Sequence, residues 1–210
     1  MEPDAVEIRV LGCLLEKQRT TPDVYPLSLN ALRSACNQTT SREPVVSYDD
    51  ATVRDALQRL GQRRWTRLAS ASRAAKYRHL LDEALGADRA QLAALTPMLL
   101  RGPQTFSELR TRTERLHGFA SDDELRATLD SLIERELVEL LPRLPGQKEQ
   151  RYRQLLGGGD AEPITAPAVA AAPATAAPAP DETAARLERL EVEVRDLRRE
   201  LAELRADLGA

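Results

Sequence analysis

Between Val53 and Leu80 lie eight basic residues and a single acid, most of the basic ones arginine. Arginine and glutamine are the side chains that read guanine and adenine edges bidentately, and arginine and lysine bind phosphate. On a 3.6-residue wheel, Val53, Ala56, Leu57 and Leu60 form one apolar stripe. Arg54, Asp55, Gln58, Arg59 and Gln62 fall on the opposite face. Beyond the helix, Arg67, Arg73, Lys76 and Arg78 fall on or near a hairpin of two short strands. Residues of these types in this order suit double-stranded DNA, with the helix at base edges and the hairpin at phosphates. The same pattern also fits a solvated helix face in an arginine-rich chain.

Other chemistry finds little footing. Cys13 and Cys36 have neither CxxC spacing nor nearby histidines, and read as two small buried hydrophobes. His79 and His117 are isolated, so no metal ligand set assembles from local spacing. The three glycines Gly157–Gly159 open a linker rather than a phosphate loop between strand and helix. Acid pairs such as Asp49-Asp50 and Asp122-Asp123 sit at helix N-termini, where they serve the macrodipole. No serine or cysteine falls in a nucleophile motif. The expectation is a binding protein without catalytic residues, metal or cofactor.

The elements that carry the basic run occur twice. Ser47-Tyr48-Asp49-Asp50 matches Ser121-Asp122-Asp123-Glu124, each read as a serine N-cap with an acid three residues on. At an offset of 72, Val53, Leu57, Leu60, Trp65 and Leu68 fall on Leu125, Leu129, Leu132, Leu137 and Leu140. Lys76–Leu81 falls on Arg151–Leu156 at an offset of 75, so the second hairpin loop is three residues longer. Upstream, helices are predicted over Asp4–Lys17 and Leu27–Cys36 in the first copy. The second copy has one over Asp88–Arg101, with Pro97 expected to kink or shorten it, and another opening at Thr105-Phe106-Ser107-Glu108. Three helices closed by a β-hairpin, twice over, is the winged-helix plan, with the third helix as the reader. The predicted fold class is therefore mainly α with small β-hairpins.

Particular residues carry a family resemblance. Thr20-Thr21-Pro22-Asp23-Val24-Tyr25-Pro26-Leu27-Ser28-Leu29-Asn30-Ala31-Leu32 and Ala35-Cys36-Asn37-Gln38 resemble the bacterial YceH family. So do Arg110–His117 and the wing Pro145-Gly146-Gln147-Lys148-Glu149. The resemblance covers about residues 4–156 and leaves the C-terminal tail outside. Its members look like cytosolic tandem winged-helix proteins without an established activity, so it implies a fold and leaves the activity to the residues.

The two copies do not read alike. The third helix of the second copy buries Leu125, Leu129, Leu132 and Ile133 but exposes Asp123, Ala127, Asp130 and Glu134. Those carboxylates would repel a phosphate backbone. Its wing carries Arg143, Lys148, Arg151 and Arg153, so Lys148 joins the candidate DNA contacts while the helix suits a protein partner. Charge follows the same partition. Residues 1–80 hold 13 Lys/Arg against 9 Asp/Glu (+4), residues 81–156 hold 11 against 13 (−2), and residues 157–210 hold 6 against 11 (−5). The first helix carries a core stripe of Ile8, Leu11 and Leu15 and a second apolar line of Val6, Val10 and Cys13. The second line is expected to pack on the other module or another chain.

Domains are expected at 1–81, 82–156, an Ala/Pro linker at 157–182 and a coiled coil at 183–208. From Ala161 to Pro180 the linker has ten alanines and five prolines, a composition that cannot bury a core. Leu187, Leu190, Val194, Leu197, Leu201, Leu204 and Leu208 then recur at 3,4 spacing, an unbroken a/d seam. Parallel pairing brings Arg186–Glu191, Glu193–Arg198 and Glu200–Arg205 together, so a parallel homo-oligomer is expected, dimer or trimer. A lone amphipathic helix docked on the protein's own body is the alternative. No apolar run approaches the ~20 residues of a membrane span, and the acidic start MEPDAVEIRV does not read as a signal peptide, so a cytoplasmic protein is expected. Two functions stay open: a transcription-regulator-like DNA binder working mainly through the first module, and a protein-interaction scaffold that does not touch DNA.

Overall fold

The computed structural model describes residues 2–70, 75–143 and 145–157. The chain divides into two units, Met1–Ile164 and Thr165–Ala210. Apart from Gly157, the linker expected at 157–182 and the heptads expected at 183–208 lie outside the described residues, as does Arg73. The described part is mainly helical with two small antiparallel sheets.

The first half runs α1 (Ala5–Thr20), β1 (Leu27–Ser28), α2 (Leu29–Cys36), α3 (Asp50–Gln62), β2 (Thr66–Ser70), β3 (Lys76–His79) and α4 (Leu81–Leu85). The second runs α5 (Arg89–Arg101), β4 (Gln104–Thr105), α6 (Phe106–Thr113), α7 (Asp122–Glu134), β5 (Val138–Leu140) and β6 (Arg151–Gln154). Each sheet has three strands, ordered β1-β3-β2 and β4-β6-β5. The repeat is therefore one strand richer than the hairpins predict. Leu27 and Ser28, expected to begin a helix, pair with Tyr77 and Lys76, and Ser28 then caps α2 through the Ala31 N–H at 3.3 Å. A two-residue strand is too short to show the alternation by which strands are recognised.

Caps explain most helix starts, with one shift of register. Asp4 and Glu7 form a reciprocal capping box on α1, as do Asp88 and Gln91 on α5 and Thr105 and Glu108 on α6. Ser121 caps α7 as its sequence predicts. Ser47 does not cap α3. Asp49 accepts the Thr52 N–H at 2.8 Å instead. Upstream, the Asn37 side chain bonds both the N–H and the carbonyl of Tyr48, each at 2.8 Å. That amide ladder keeps Tyr48 out of the helix, and the next good capping residue takes over.

One helix serves both cores. α5 sends Leu92, Leu99 and Leu100 into the first cluster and Ala94, Leu95 and Met98 into the second. It runs through Pro97 without being shortened, and all ten residues from Gln91 to Leu100 are buried. Packing on both faces compensates the backbone bond that proline removes. The segments 1–81 and 82–156, expected as separate modules, thus share a wall and fall within one compact unit. α1 lies directly against α5 at Gly12, where an added Cβ would stand 2.8 Å from the Leu100 side chain and 3.1 Å from that of Leu99. Ile8 and Leu15 lie within about 60° of Gly12 on the helix wheel, so this edge of α1, not the Val6–Val10–Cys13 line, meets the second half. Cys13 lies instead near Cys36 of its own half, within the same buried cluster. Both thiols are free and buried. Among the described residues no helix is long and apolar enough to cross a membrane.

Candidate nucleic-acid interface

α3 packs Val53, Ala56, Leu57 and Leu60 into the core and turns Arg54, Asp55, Gln58 and Gln62 to solvent. A single left-handed residue, Arg64 (φ 61°), turns the chain from α3 toward β2. The Trp65 N–H bonds the Leu60 carbonyl at 2.9 Å, and the Leu80 N–H returns to the Trp65 carbonyl at 2.7 Å. The base of the β2–β3 hairpin is thereby fixed to the C-terminal end of α3. Lys76 is partly exposed in the hairpin, opposite Ser28 and Ser70.

Within that hairpin Arg67 is the direct cross-strand partner of Arg78. Like charges set opposite each other in a sheet repel. Arg78 has some relief from Glu83 at 3.1 Å, while Arg67 is exposed and forms no ion pair among the described residues. Leu68, the next residue, is also exposed.

Arg59 belongs elsewhere. Its guanidinium reaches Asp4 at 2.6 Å and the buried Glu7 at 3.2 Å, and Arg63 reaches the other Glu7 oxygen at 3.4 Å. The last turn of α3 is thus tied to the first turn of α1, and Arg59 is a brace rather than a base reader. The periodicity that placed it on the outer face was sound, but the N-terminus of α1 comes to meet that face. Two further arginines counted in the basic balance are buried. Arg9 donates to the carbonyls of Cys36 (3.2 Å) and Pro44 (2.7 Å). Arg42 donates to the Ala35 carbonyl at 2.9 Å and grips Glu16 with two bonds of 3.0 and 2.6 Å. Both serve the end of α2 and the loop that leads to α3. Composition cannot distinguish such internal arginines from surface ones.

The second copy is acidic at four corresponding positions, although Arg54 and Arg63 keep their charge as Arg126 and Arg135. At the offset of 72, Gln58, Gln62, Arg64 and Arg67 correspond to Asp130, Glu134, Glu136 and Glu139. Glu136 (φ 55°) occupies the same left-handed position as Arg64. Glu139 is the cross-strand partner of Arg153 and is ion-paired with it. Arg151 is held by Glu108 at 3.1 Å and the Pro103 carbonyl at 3.0 Å, and Arg110 by Asp122 at 2.7 Å. Arg126 lies over the Phe106 ring, 4.0 Å from its centroid. Of the basic residues expected on this wing, Arg143 and Lys148 remain exposed without an ion pair among the described residues. Asp123, Ala127, Asp130 and Glu134 are all exposed along α7.

Among the described residues no three His, Cys, Asp or Glu side chains gather as a metal ion would need. His79 is buried, its Nε2 2.7 Å from the Gln18 side-chain oxygen and its Nδ1 accepting the Leu81 N–H at 3.3 Å. This arrangement suits a neutral ring, and burial pushes the imidazole down to about 4.

A family model described as "Protein of unknown function, DUF480" matches residues 4–147. A UPF0502 protein of Stenotrophomonas maltophilia is 46% identical over 203 residues, covering 96% of this chain and 94% of its own length. Another from Pelobacter propionicus is 49% identical over 205 residues, 95% of this chain and 91% of that one. A third, from Azotobacter vinelandii, is 50% identical over 157 residues, 75% and 70% of the two chains. The first two matches extend past residue 156, so the similarity reaches into the tail that the motifs alone left outside.

Proposed function

The chain belongs to the DUF480 family of bacterial proteins, and from that premise we propose that it is a DNA-binding regulator acting through its first half. We read each half as a winged helix, with α3 and the β2–β3 hairpin as the DNA-contacting surface. The observation that carries this reading is the Arg67–Arg78 pair, set against Glu139–Arg153 at the same register. A sheet that places two cations opposite each other gives up stability unless an anion joins them, and a phosphate backbone supplies that anion. Arg54, Gln58 and Gln62 on α3 are exposed and would meet base edges, with Lys76 adding positive charge in the hairpin; Arg73, a further phosphate contact in this reading, lies outside the described residues. The heptads from Leu187 to Leu208 would hold two or more chains together as a cytoplasmic homo-oligomer and bring a second copy of the first half to the duplex.

A second reading is favoured by α7. Its exposed Asp123, Asp130 and Glu134 would repel phosphate and suit a basic protein surface, so the second half would serve as a docking module. The deciding experiment is retention of the full chain on duplex fragments across a salt series. DNA binding should weaken steeply with salt, and Arg67→Glu should lower the slope by roughly one to two. Absence of retention at low salt removes the DNA reading. A pull-down from lysate with and without nuclease then separates nucleic-acid partners from protein partners of the α7 face.

A further inference from the structure

On the side where the C-terminal ends of α1 and α5 approach α6, the two halves enclose a cleft of about 610 Å³. The size falls in the range of small-molecule sites, roughly 300–1,000 Å³. Lys17, Arg101, Arg112 and Arg115 line it, and Thr40 and Ser41 stand at its wall with hydroxyls that make no hydrogen bond among the described residues. Two acids also line it, Glu16 and Glu114. Glu16 is already committed. Burial opposes its charge, but the two bonds from Arg42 hold its carboxyl below the usual range.

Lys17 pairs with Glu16 at 3.4 Å, but the arginines are less well answered. Arg112 has Glu108 at 3.5 Å, yet Glu108 also accepts from Arg151 at 3.1 Å and from the Thr105 N–H at 2.9 Å. Arg101 and Arg115 form no ion pair among the described residues. Arg101 also feels Arg112 directly: burial first and that neighbouring charge second lower its proton affinity, with Glu43 and Glu108 offsetting this in part. Two guanidiniums line one hollow, Arg101 without an ion pair and Arg112 with an acid that Arg151 shares, and this leaves a place for an anion. A planar guanidinium fork matches the oxygens of phosphate, and paired cations answer its two charges.

We propose that this cleft binds a small phosphate-bearing anion, its phosphate held between Arg101 and Arg112 and its remainder lying along Thr40 and Ser41. The walls come from both halves, with α1 and the 38–41 loop on one side and α5 and α6 on the other. Occupancy therefore ties the acidic half to the basic one.

The test is calorimetric titration of the full chain, at constant ionic strength, with inorganic phosphate and with ribose 5-phosphate. Arg101→Gln/Arg112→Gln and the wing variant Arg67→Glu are titrated beside it. Both substituted arginines in the cleft are partly exposed, and circular dichroism verifies that each variant is folded. The expected result is binding to wild type, weakened roughly tenfold or more in the double variant and unchanged in Arg67→Glu. Tighter binding of the ester assigns the site to a phosphorylated metabolite, and equal binding assigns it to the free ion. Phosphate also stabilises folded proteins by surface exclusion, which all variants share, so only the difference between them counts. Equal affinity in wild type and double variant, equal loss in Arg67→Glu, or binding of neither probe at millimolar concentration overturns the proposal.

Discussion

Arg67 faces Arg78 across the β2–β3 ladder, at the register where the second sheet sets Glu139 against Arg153. The two sheets share strand order and a left-handed residue before the first hairpin strand, so at this register the contrast is one of side-chain charge. Arg67→Glu recreates in the first sheet the pairing of the second. It is expected to raise stability by about 0.2–1 kcal/mol, the range for replacing repulsion by attraction between cross-strand partners. Retention on DNA should fall at the same time. Urea unfolding and duplex binding on one protein preparation check both signs, and a variant that loses stability as well as binding would mean the pair is structural.

Arg54 and Arg59 stand one and a half turns apart on α3 and should separate function from stability. Arg54→Ala and Gln58→Ala remove exposed side chains and should stay within about 0.5 kcal/mol of wild-type stability while weakening DNA binding. Arg59→Ala takes a partner from the buried Glu7. Losing a partner of a fully buried charge costs about 3–5 kcal/mol, but Arg59 is 38% exposed and Arg63 still reaches Glu7. Solvent screening reduces the figure to about 1–2 kcal/mol. Urea midpoints of the three variants decide it: equal midpoints would show that the Asp4–Glu7–Arg59 cluster contributes little.

What the residues disclosed and what they hid follow one physical division. The third helices, the hairpin strands and the duplication are legible because each rests on local periodicity repeated at a fixed offset. The acids of α7 are exposed as their wheel positions imply, and Lys148 is exposed in the loop between β5 and β6. The short strands β1 and β4, the five-residue α4 and the capping shift from Ser47 to Asp49 depend on partners distant in sequence, such as Asn37 reaching Tyr48. Arg59 shows the same limit for the site. Its place on the wheel is local information, but the arrival of Asp4 and Glu7 in front of it is tertiary. α5 is the largest example. Its near-continuous burial reads as an ordinary core helix until both clusters are seen to use it.

Gly12 and Gly61 offer a paired substitution with opposite expected signs. At Gly61, on the exposed side of α3, an added Cβ meets nothing within 4 Å. Gly61→Ala should therefore stabilise by up to about 1 kcal/mol through helix propensity. At Gly12 the same methyl would stand 2.9 Å from Leu100 Cγ, a branch point buried in the α1–α5 contact. Overpacking of this kind costs about 1–3 kcal/mol, and the propensity gain offsets only part of it. A lowered melting temperature for Gly12→Ala beside a raised one for Gly61→Ala is the expected outcome. Two increases would show that α1 and α5 are loosely packed.

His79 should set the acid limb of the stability profile. Burial is the chief cause of its depressed pKa; Arg19 and Arg78 add to it, and Asp82 opposes it. In the unfolded chain the ring protonates near 6.5, and in the folded protein only near about 4. Between those values the unfolded state binds more protons, so stability rises with pH across this window. The contribution is complete above pH 6.5 and is lost progressively as the pH falls to 4. A shift of this size corresponds to about 3 kcal/mol. Glu16 and Glu108, whose carboxyls lie below their usual range, add their own losses only below about pH 4.5. His79→Gln keeps a neutral side chain able to hydrogen-bond Gln18 and has nothing to titrate between pH 4.5 and 6.5. Urea unfolding at successive pH values should show a sloping wild type and a flat variant in that interval, the two running parallel only below about pH 4. A flat wild-type profile would mean that the ring takes its proton without disturbing the junction of α1, β3 and α4.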